Sequence, residues 1–134
     1  MAGRKIFLAD DDHDDWFIIE DSMKEIGFKD AIEFFSDGLK LIEALTLLPS
    51  DEKLPNLIIL DLNMPKTNGT DTLQQIKQDD RFKHIPVIIY STSINSFEKQ
   101  KCLELGAYDY VTKPVSSKDS ATVARLFASF LGKN

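Results

Sequence analysis

The sequence holds one cysteine, two histidines and no Gly-x-Gly-x-x-Gly motif, and each scarcity removes a class of function. A lone thiol, Cys102, cannot close an internal disulfide, which agrees with a reducing compartment. With no cysteine cluster and no paired histidines, the ligand set of a zinc site is missing. His13 and His84 read as solvated loop residues rather than ligands. No apolar run approaches the roughly 18 residues that cross a bilayer. The opening Met1-Ala2-Gly3-Arg4-Lys5 lacks the length and cleavage site of a signal peptide. A cytoplasmic protein with no membrane contact is expected. Positive charge is also short: the net charge of −6 argues against a broad basic face for nucleic acid. No low-complexity segment or linker divides the 134 residues, so one domain is expected over 1–134, with a core of about 5–131.

Continuous apolar runs are what the chain does have. Leu57-Ile58-Ile59-Leu60 reads as a strand buried on both faces, the habit of a central strand in a parallel sheet. It ends on Asp61, and Pro65 and Asn68-Gly69 then supply turn chemistry. Ile6 to Ala9 is a similar run that also ends on acids, Asp10 and Asp11, and Pro86 to Tyr90 delivers Ser91-Thr92-Ser93. Ile32, Phe34 and Phe35, interrupted by Glu33, suit a sheet edge, and Tyr108 to Val111 is a short last strand before Thr112-Lys113-Pro114.

Between these runs the apolar spacing turns helical. Trp16, Ile19, Met23 and Ile26 mark a helix that stops at Gly27, with Trp16 packed in the core on that spacing and kinase docking as its alternative role. Leu41, Ala44, Leu45 and Leu48 mark a second, and Leu73 with Ile76 a third from about Thr70 to Gln78. A fourth runs from about Phe97 to Leu105, closed by Gly106. Ser116 with Asp119 resembles a capping box ahead of a fifth helix carrying Val123, Leu126, Phe127 and Phe130. The order is (βα)5, which implies an α/β fold with a doubly wound, five-stranded parallel sheet. Acids stand where a dinucleotide fold has its glycines, so the flavodoxin-like strand order 2-1-3-4-5 fits better than a six-stranded one.

In that order Asp10, Asp11 and Asp61 converge at the carboxyl edge of the sheet. Three carboxylates in one shallow pocket repel each other, and a divalent cation removes the conflict. All-oxygen ligation favours Mg²⁺, with Mn²⁺ as the other candidate. Lys113 and Ser91 reach the same edge. A hard cation, a lysine and a hydroxyl around one aspartate suit a phosphoryl group, with Asp61 as nucleophile forming an acyl phosphate. Asp12, Asp14 and Asp15 are read differently, as acids that favour the amino end of the first helix and need not touch metal.

Asp10-Asp11, Asp61 within Leu60-Asp61-Leu62-Asn63-Met64-Pro65, Ser91 and Lys113-Pro114, in that order and spacing, resemble the receiver domain of two-component response regulators, in its stand-alone form, from about Lys5 to Leu131. The resemblance implies a phosphoprotein in which Asp61 accepts phosphate from a sensor histidine kinase or a histidine phosphotransfer protein. Asp10, Asp11, Asp61 and the main-chain carbonyl of Asn63 would hold the metal, Asp10 mostly through water. Lys113 would contact the phosphoryl group, and the Lys113-Pro114 peptide would be cis. Ser91 would move to the phosphoryl group and Tyr110 would swing inward behind it, with a plain edge-strand aromatic as the lesser reading of Tyr110. The face of helix four, strand five and helix five would then engage a downstream target protein, or a second copy in a weak homodimer of an otherwise monomeric chain. With no output domain attached, the signal would pass to a separate protein.

Thr92 departs from the small residue usual after Ser91 and narrows access to the site. Under this reading the chain is not an enzyme acting on outside substrates. A phosphatase working through an aspartyl phosphate would want an acid two residues after its nucleophile, where this chain has Asn63. A scaffold that works without phosphate is the remaining alternative.

Overall fold

Residues 5–62, 64, 68–92 and 95–131 are described by the computed structural model. The elements alternate as β1 (Ile6–Ala9), α1 (His13–Glu25), β2 (Ile32–Phe35), α2 (Gly38–Thr46), β3 (Leu57–Leu60), α3 (Gly69–Gln78), β4 (Val87–Ser91), α4 (Ser96–Glu104), β5 (Asp109–Thr112) and α5 (Ser117–Ala128). The five strands pair in the order β2-β1-β3-β4-β5, all parallel. This is the expected flavodoxin-like arrangement, with every strand's carboxyl end at one edge.

Strand alternation builds the two layers. Phe7, Ala9, Ile58, Leu60, Val87 and Ile89 face one side and bury Leu41 and Leu45 of α2, Leu73 and Ile76 of α3 and Cys102 of α4. Ile6, Leu8, Leu57, Ile59, Ile88 and Tyr90 face the other and bury Ile19 and Met23 of α1 with Val123 and Phe127 of α5. Buried on both faces, β1 and β3 are apolar along their length and β4 is apolar up to the Ser91 that ends it, which explains their uninterrupted runs. β2 lies at the sheet edge, and there Glu33 reaches solvent.

Each helix opens on a side-chain cap. Asp12, Asp37, Asn68, Asn95 and Ser116 each accept a hydrogen bond from a first-turn amide, satisfying one of the donors a helix start leaves over. Ser116 takes the bond from Asp119 expected of its spacing, at 3.1 Å. Gly27 closes α1 with φ of +93°, a conformation that costs a side-chain-bearing residue energy. The 3₁₀ turn Asp51–Lys53 carries no sequence periodicity and is set by its surroundings. Arg81 ties it down, with Nε donating to Asp51 Oδ1 at 2.9 Å and Nη2 to the Leu48 carbonyl at 2.7 Å. Arg81→Ala is expected to cost about 1–2 kcal/mol through those two bonds, measurable in urea unfolding; no loss would mean that water replaces the guanidinium without penalty. Among the described residues, no helix is long and apolar enough to cross a membrane.

Candidate phosphoryl site at the carboxyl edge of the sheet

β1 and β3 are neighbours because nothing lies between them in the strand order, and their ends place two acids side by side. The Asp61 amide donates to the Ala9 carbonyl at 3.0 Å and the Asp10 amide to the Phe35 carbonyl at 2.9 Å, so both backbones are pinned by sheet pairing one residue past the strands. Asp10 is fully buried, Asp61 nearly so, and Asp11 exposed. One carboxylate oxygen from each of the three lies within 4.8 Å of the others. Asp10 Oδ1 accepts from the Asp12 amide at 2.9 Å. The buried Asp10 Oδ2 has no hydrogen-bond partner; the Lys113 ammonium faces it at 2.8 Å as an ion pair without hydrogen-bond alignment. A buried carboxylate oxygen met only by an ion pair, beside two further carboxylates, suits a hard divalent cation, which takes oxygen ligands and leaves room for water. The residues present therefore fit Mg²⁺ or Mn²⁺.

Lys113 is held from β5 and β4 together. Its amide donates to the Ser91 carbonyl at 2.8 Å, extending the β4–β5 pairing past the end of β5. Its side chain is only 8 % exposed and meets three carboxylates: Asp15 at 2.7 Å, Asp10 at 2.8 Å and Asp61 at 3.4 Å. Burial acts to lower the ammonium's pKa, but its Asp10 and Asp15 contacts outweigh that and hold it above the usual lysine range. Burial pushes the Asp10 carboxyl up to about 7, against the opposing pull of Lys113 and the Asp12 amide and with some help from the Asp61 charge. Ser91 is buried at the end of β4 and Thr92 is exposed beside it. A cleft of about 460 Å³ opens over these groups, lined by Asp11, Asp12, Asp15, Asp61, Thr92 and Lys113.

The structure thus brings Asp10, Asp11, Asp61 and Lys113 together, with Ser91 and Thr92 alongside. Asn63 lies outside the described residues. Tyr110 is buried among Ile89, Cys102 and their neighbours on the α2–α4 side of the sheet. The expected cis bond is corrected: no cis peptide occurs among the described residues, and Lys113-Pro114 is trans. A peptide before proline still favours trans by about 0.5–1 kcal/mol, and the Ser91 carbonyl already positions Lys113 without the other isomer.

Two contacts escape the sequence reading. Asp15, assigned to helix electrostatics, hydrogen-bonds Lys113. The signal was present: Asp15, Ile19 and Met23 are four residues apart, and the last two are fully buried, so Asp15 continues an inward-facing stripe toward the site. Trp16 is only partly buried, its Nε1 donating to the Asp10 carbonyl at 2.8 Å while its ring stacks on His13 and Phe34. His13 is exposed, as expected, and opens α1 instead of lying in a loop.

Residues 6–125 match the family model of the response regulator receiver domain. The chain belongs to that family. Response regulator Rcp1 of Synechocystis is 32% identical over 127 residues, covering 93% of this chain and 86% of Rcp1. The crystal structure of the Mn²⁺-bound form of Rcp1 superposes with a TM-score of 0.80 at 31% identity, covering 95% of this chain and 93% of that one. That of the phosphorylated cyanobacterial phytochrome response regulator RcpA gives 0.83 at 30% identity, covering 97% and 94%. The acid cluster of this receiver domain is consistent with the divalent-metal binding seen in the Mn²⁺ form of Rcp1.

Proposed function

We propose that this receiver domain is a phosphorylation switch whose acceptor is Asp61. The observation that carries the reading is the meeting of Asp10, Asp11 and Asp61 within 4.8 Å, with the Lys113 ammonium 3.4 Å from Asp61. An Asp61 carboxylate oxygen attacks the phosphorus of a phosphohistidine on a sensor kinase or phosphotransfer protein. The new P–O bond forms as the P–N bond breaks, and the imidazole nitrogen leaves with the bonding pair, neutral when its other ring nitrogen carries a proton. Asp10, Asp11 and Asp61, with the Asn63 carbonyl proposed as a further ligand, would hold Mg²⁺, which when bound would neutralise charge on the phosphoryl oxygens. Lys113 donates to one of those oxygens, and Ser91 turns to hydrogen-bond another.

The Ser91 displacement is relayed through β4–β5 pairing to Tyr110, which sits opposite Ile89 in the register. The partner face lies close by, where Phe97 and Leu103 of α4, Tyr108 before β5 and Val115 after it are all solvent-exposed. These apolar side chains, exposed along α4 and at both ends of the edge strand β5, support binding of a downstream protein on that side. Thr92, exposed in the same cleft, restricts the approach of the phosphodonor and of hydrolytic water.

Incubation with acetyl phosphate and Mg²⁺, followed by intact-protein mass spectrometry, is the test. The wild-type chain is expected to gain one phosphoryl group and Asp61→Asn none. Phosphate on the variant, or none on the wild type, refutes the assignment.

A further inference from the structure

Lys113 has three ammonium protons and three carboxylates around it, and the three contacts are unequal. Asp15 gives the shortest, 2.7 Å, and it has hydrogen-bond geometry, whereas Asp10 stands at 2.8 Å without that alignment and Asp61 at 3.4 Å. Asp15 also differs in where it comes from. It projects from the first turn of α1, 98 residues from Lys113 in sequence, and is 24 % exposed where Lys113 is 8 %. Asp10 and Asp61 belong to the trio whose oxygens converge within 4.8 Å, and Asp15 does not. Metal bound to that trio would draw on two of the lysine's three partners and leave the third untouched.

We propose that Asp15 is a positioning residue, which anchors the Lys113 ammonium to α1 and keeps it from closing onto the Asp61 carboxylate. This rests on the reading of Asp61 as the phosphate acceptor. A salt-bridged carboxylate is a weaker nucleophile, since the cation stabilises the charge that must attack. An ammonium pulled toward Asp15 stays within reach of the acceptor while its contact with Asp61 remains longer than a full charge-assisted hydrogen bond, about 2.7–2.9 Å. The same anchor gives Lys113 a partner that persists when the metal arrives and when a phosphoryl oxygen accepts one of its hydrogen bonds. Tyr90, whose ring centroid lies 5.6 Å from the ammonium, limits retreat in another direction.

The Asp15→Asn variant removes the charge and keeps the shape. At saturating Mg²⁺ its initial rate of phosphorylation by acetyl phosphate is expected to fall about tenfold, the scale on which misplacing a reacting group acts. Its Mg²⁺ affinity, measured by calorimetry, is expected to stay within about threefold of the wild type, because Asp15 is outside the trio. In a Lys113→Ala background the same Asp15 substitution is expected to change the rate by less than about twofold, the signature of a residue acting only through its neighbour. A metal-free crystal structure of Asp15→Asn is expected to show the ammonium about 2.8 Å from an Asp61 oxygen.

An unchanged or faster rate overturns the proposal. So does an equal loss in both backgrounds, which would mark a general charge or folding effect, and so does an ammonium that has not moved. If the wild-type chain accepts no phosphate, the function proposed above fails, and the metal-free position of Lys113 still decides whether Asp15 restrains it.

Discussion

Gly69→Ala is expected to lose about 3 kcal/mol or more of stability and to displace the acceptor aspartate with it. Gly69 begins α3, and its amide donates to the Leu62 carbonyl at 2.9 Å, drawing the helix start against the backbone that leaves β3. A Cβ built there collides with the Asp61 carbonyl oxygen and lies 2.9 Å from Leu62 Cα and 3.0 Å from the Asp61 carbonyl carbon. All three are main-chain atoms that cannot rotate aside, so relief requires moving either α3 or the segment bearing Asp61. The first choice opens the packing of Leu73 and Ile76, both fully buried. The second shifts the carboxylate away from Lys113 and the other two acids that it faces. Denaturant unfolding gives the stability, and Mg²⁺ titration of whatever remains folded is expected to show weakened binding. A variant with wild-type stability and Mg²⁺ affinity would mean that the approach is looser than it stands.

The second large effect has the opposite sign. Asp10→Asn is expected to stabilise the metal-free protein by about 2–4 kcal/mol at pH 8, from the displacement of the carboxyl's pKa at about 1.4 kcal/mol per unit. An unfolded aspartate releases its proton near 3.8, and the buried Asp10 near 7. Between those values the folded state binds more protons than the unfolded one, so stability falls as pH rises through the window. Above it the full cost of a buried negative charge is present, and below about pH 4 it vanishes, because Asp10 is neutral in both states. Thermal unfolding in a chelator at pH 4.5 and pH 8, for wild type and variant, reads this as a gap that widens with pH. Added Mg²⁺ is expected to reverse the order at pH 8, since only the wild-type trio repays the metal's dehydration with three carboxylates. An asparagine variant less stable than wild type at pH 8 without metal would show that the Lys113 attraction exceeds the burial cost.

The same energetics explain what could and could not be read from residues alone. β1, β3 and β4 announce themselves because burial on both faces favours unbroken apolar runs, and β2 because its one acid marks an edge. Once the strand order is set, Asp10, Asp11, Asp61, Ser91 and Lys113 fall at one edge by geometry, with no need to know their side-chain contacts. What stayed hidden depends on direction and competition. Asp15 looked like one of several acids at a helix start, and only the inward stripe through Ile19 and Met23 singles it out. The trans Lys113-Pro114 bond reflects a small energy difference that a family habit does not determine here. The 3₁₀ turn at Asp51–Lys53 depends on Arg81 arriving from beyond α3, and the demand for glycine at position 69 on how closely α3 approaches β3.

The bond from the Trp16 indole to the Asp10 carbonyl has a practical side. This is the chain's single tryptophan, and its hydrogen bond ends on the residue whose carboxylate stands in the metal trio. Its ring, stacked against Phe34 of β2 and His13 of the helix start, spans the two segments that flank the end of β1. Excited beyond the absorption of the three tyrosines, the protein emits from this one indole, which is hydrogen-bonded to one strand end. Mg²⁺ titration is expected to change that emission, a readout that needs neither a dye nor a substitution, and an unchanged spectrum would show that the indole does not sense the trio.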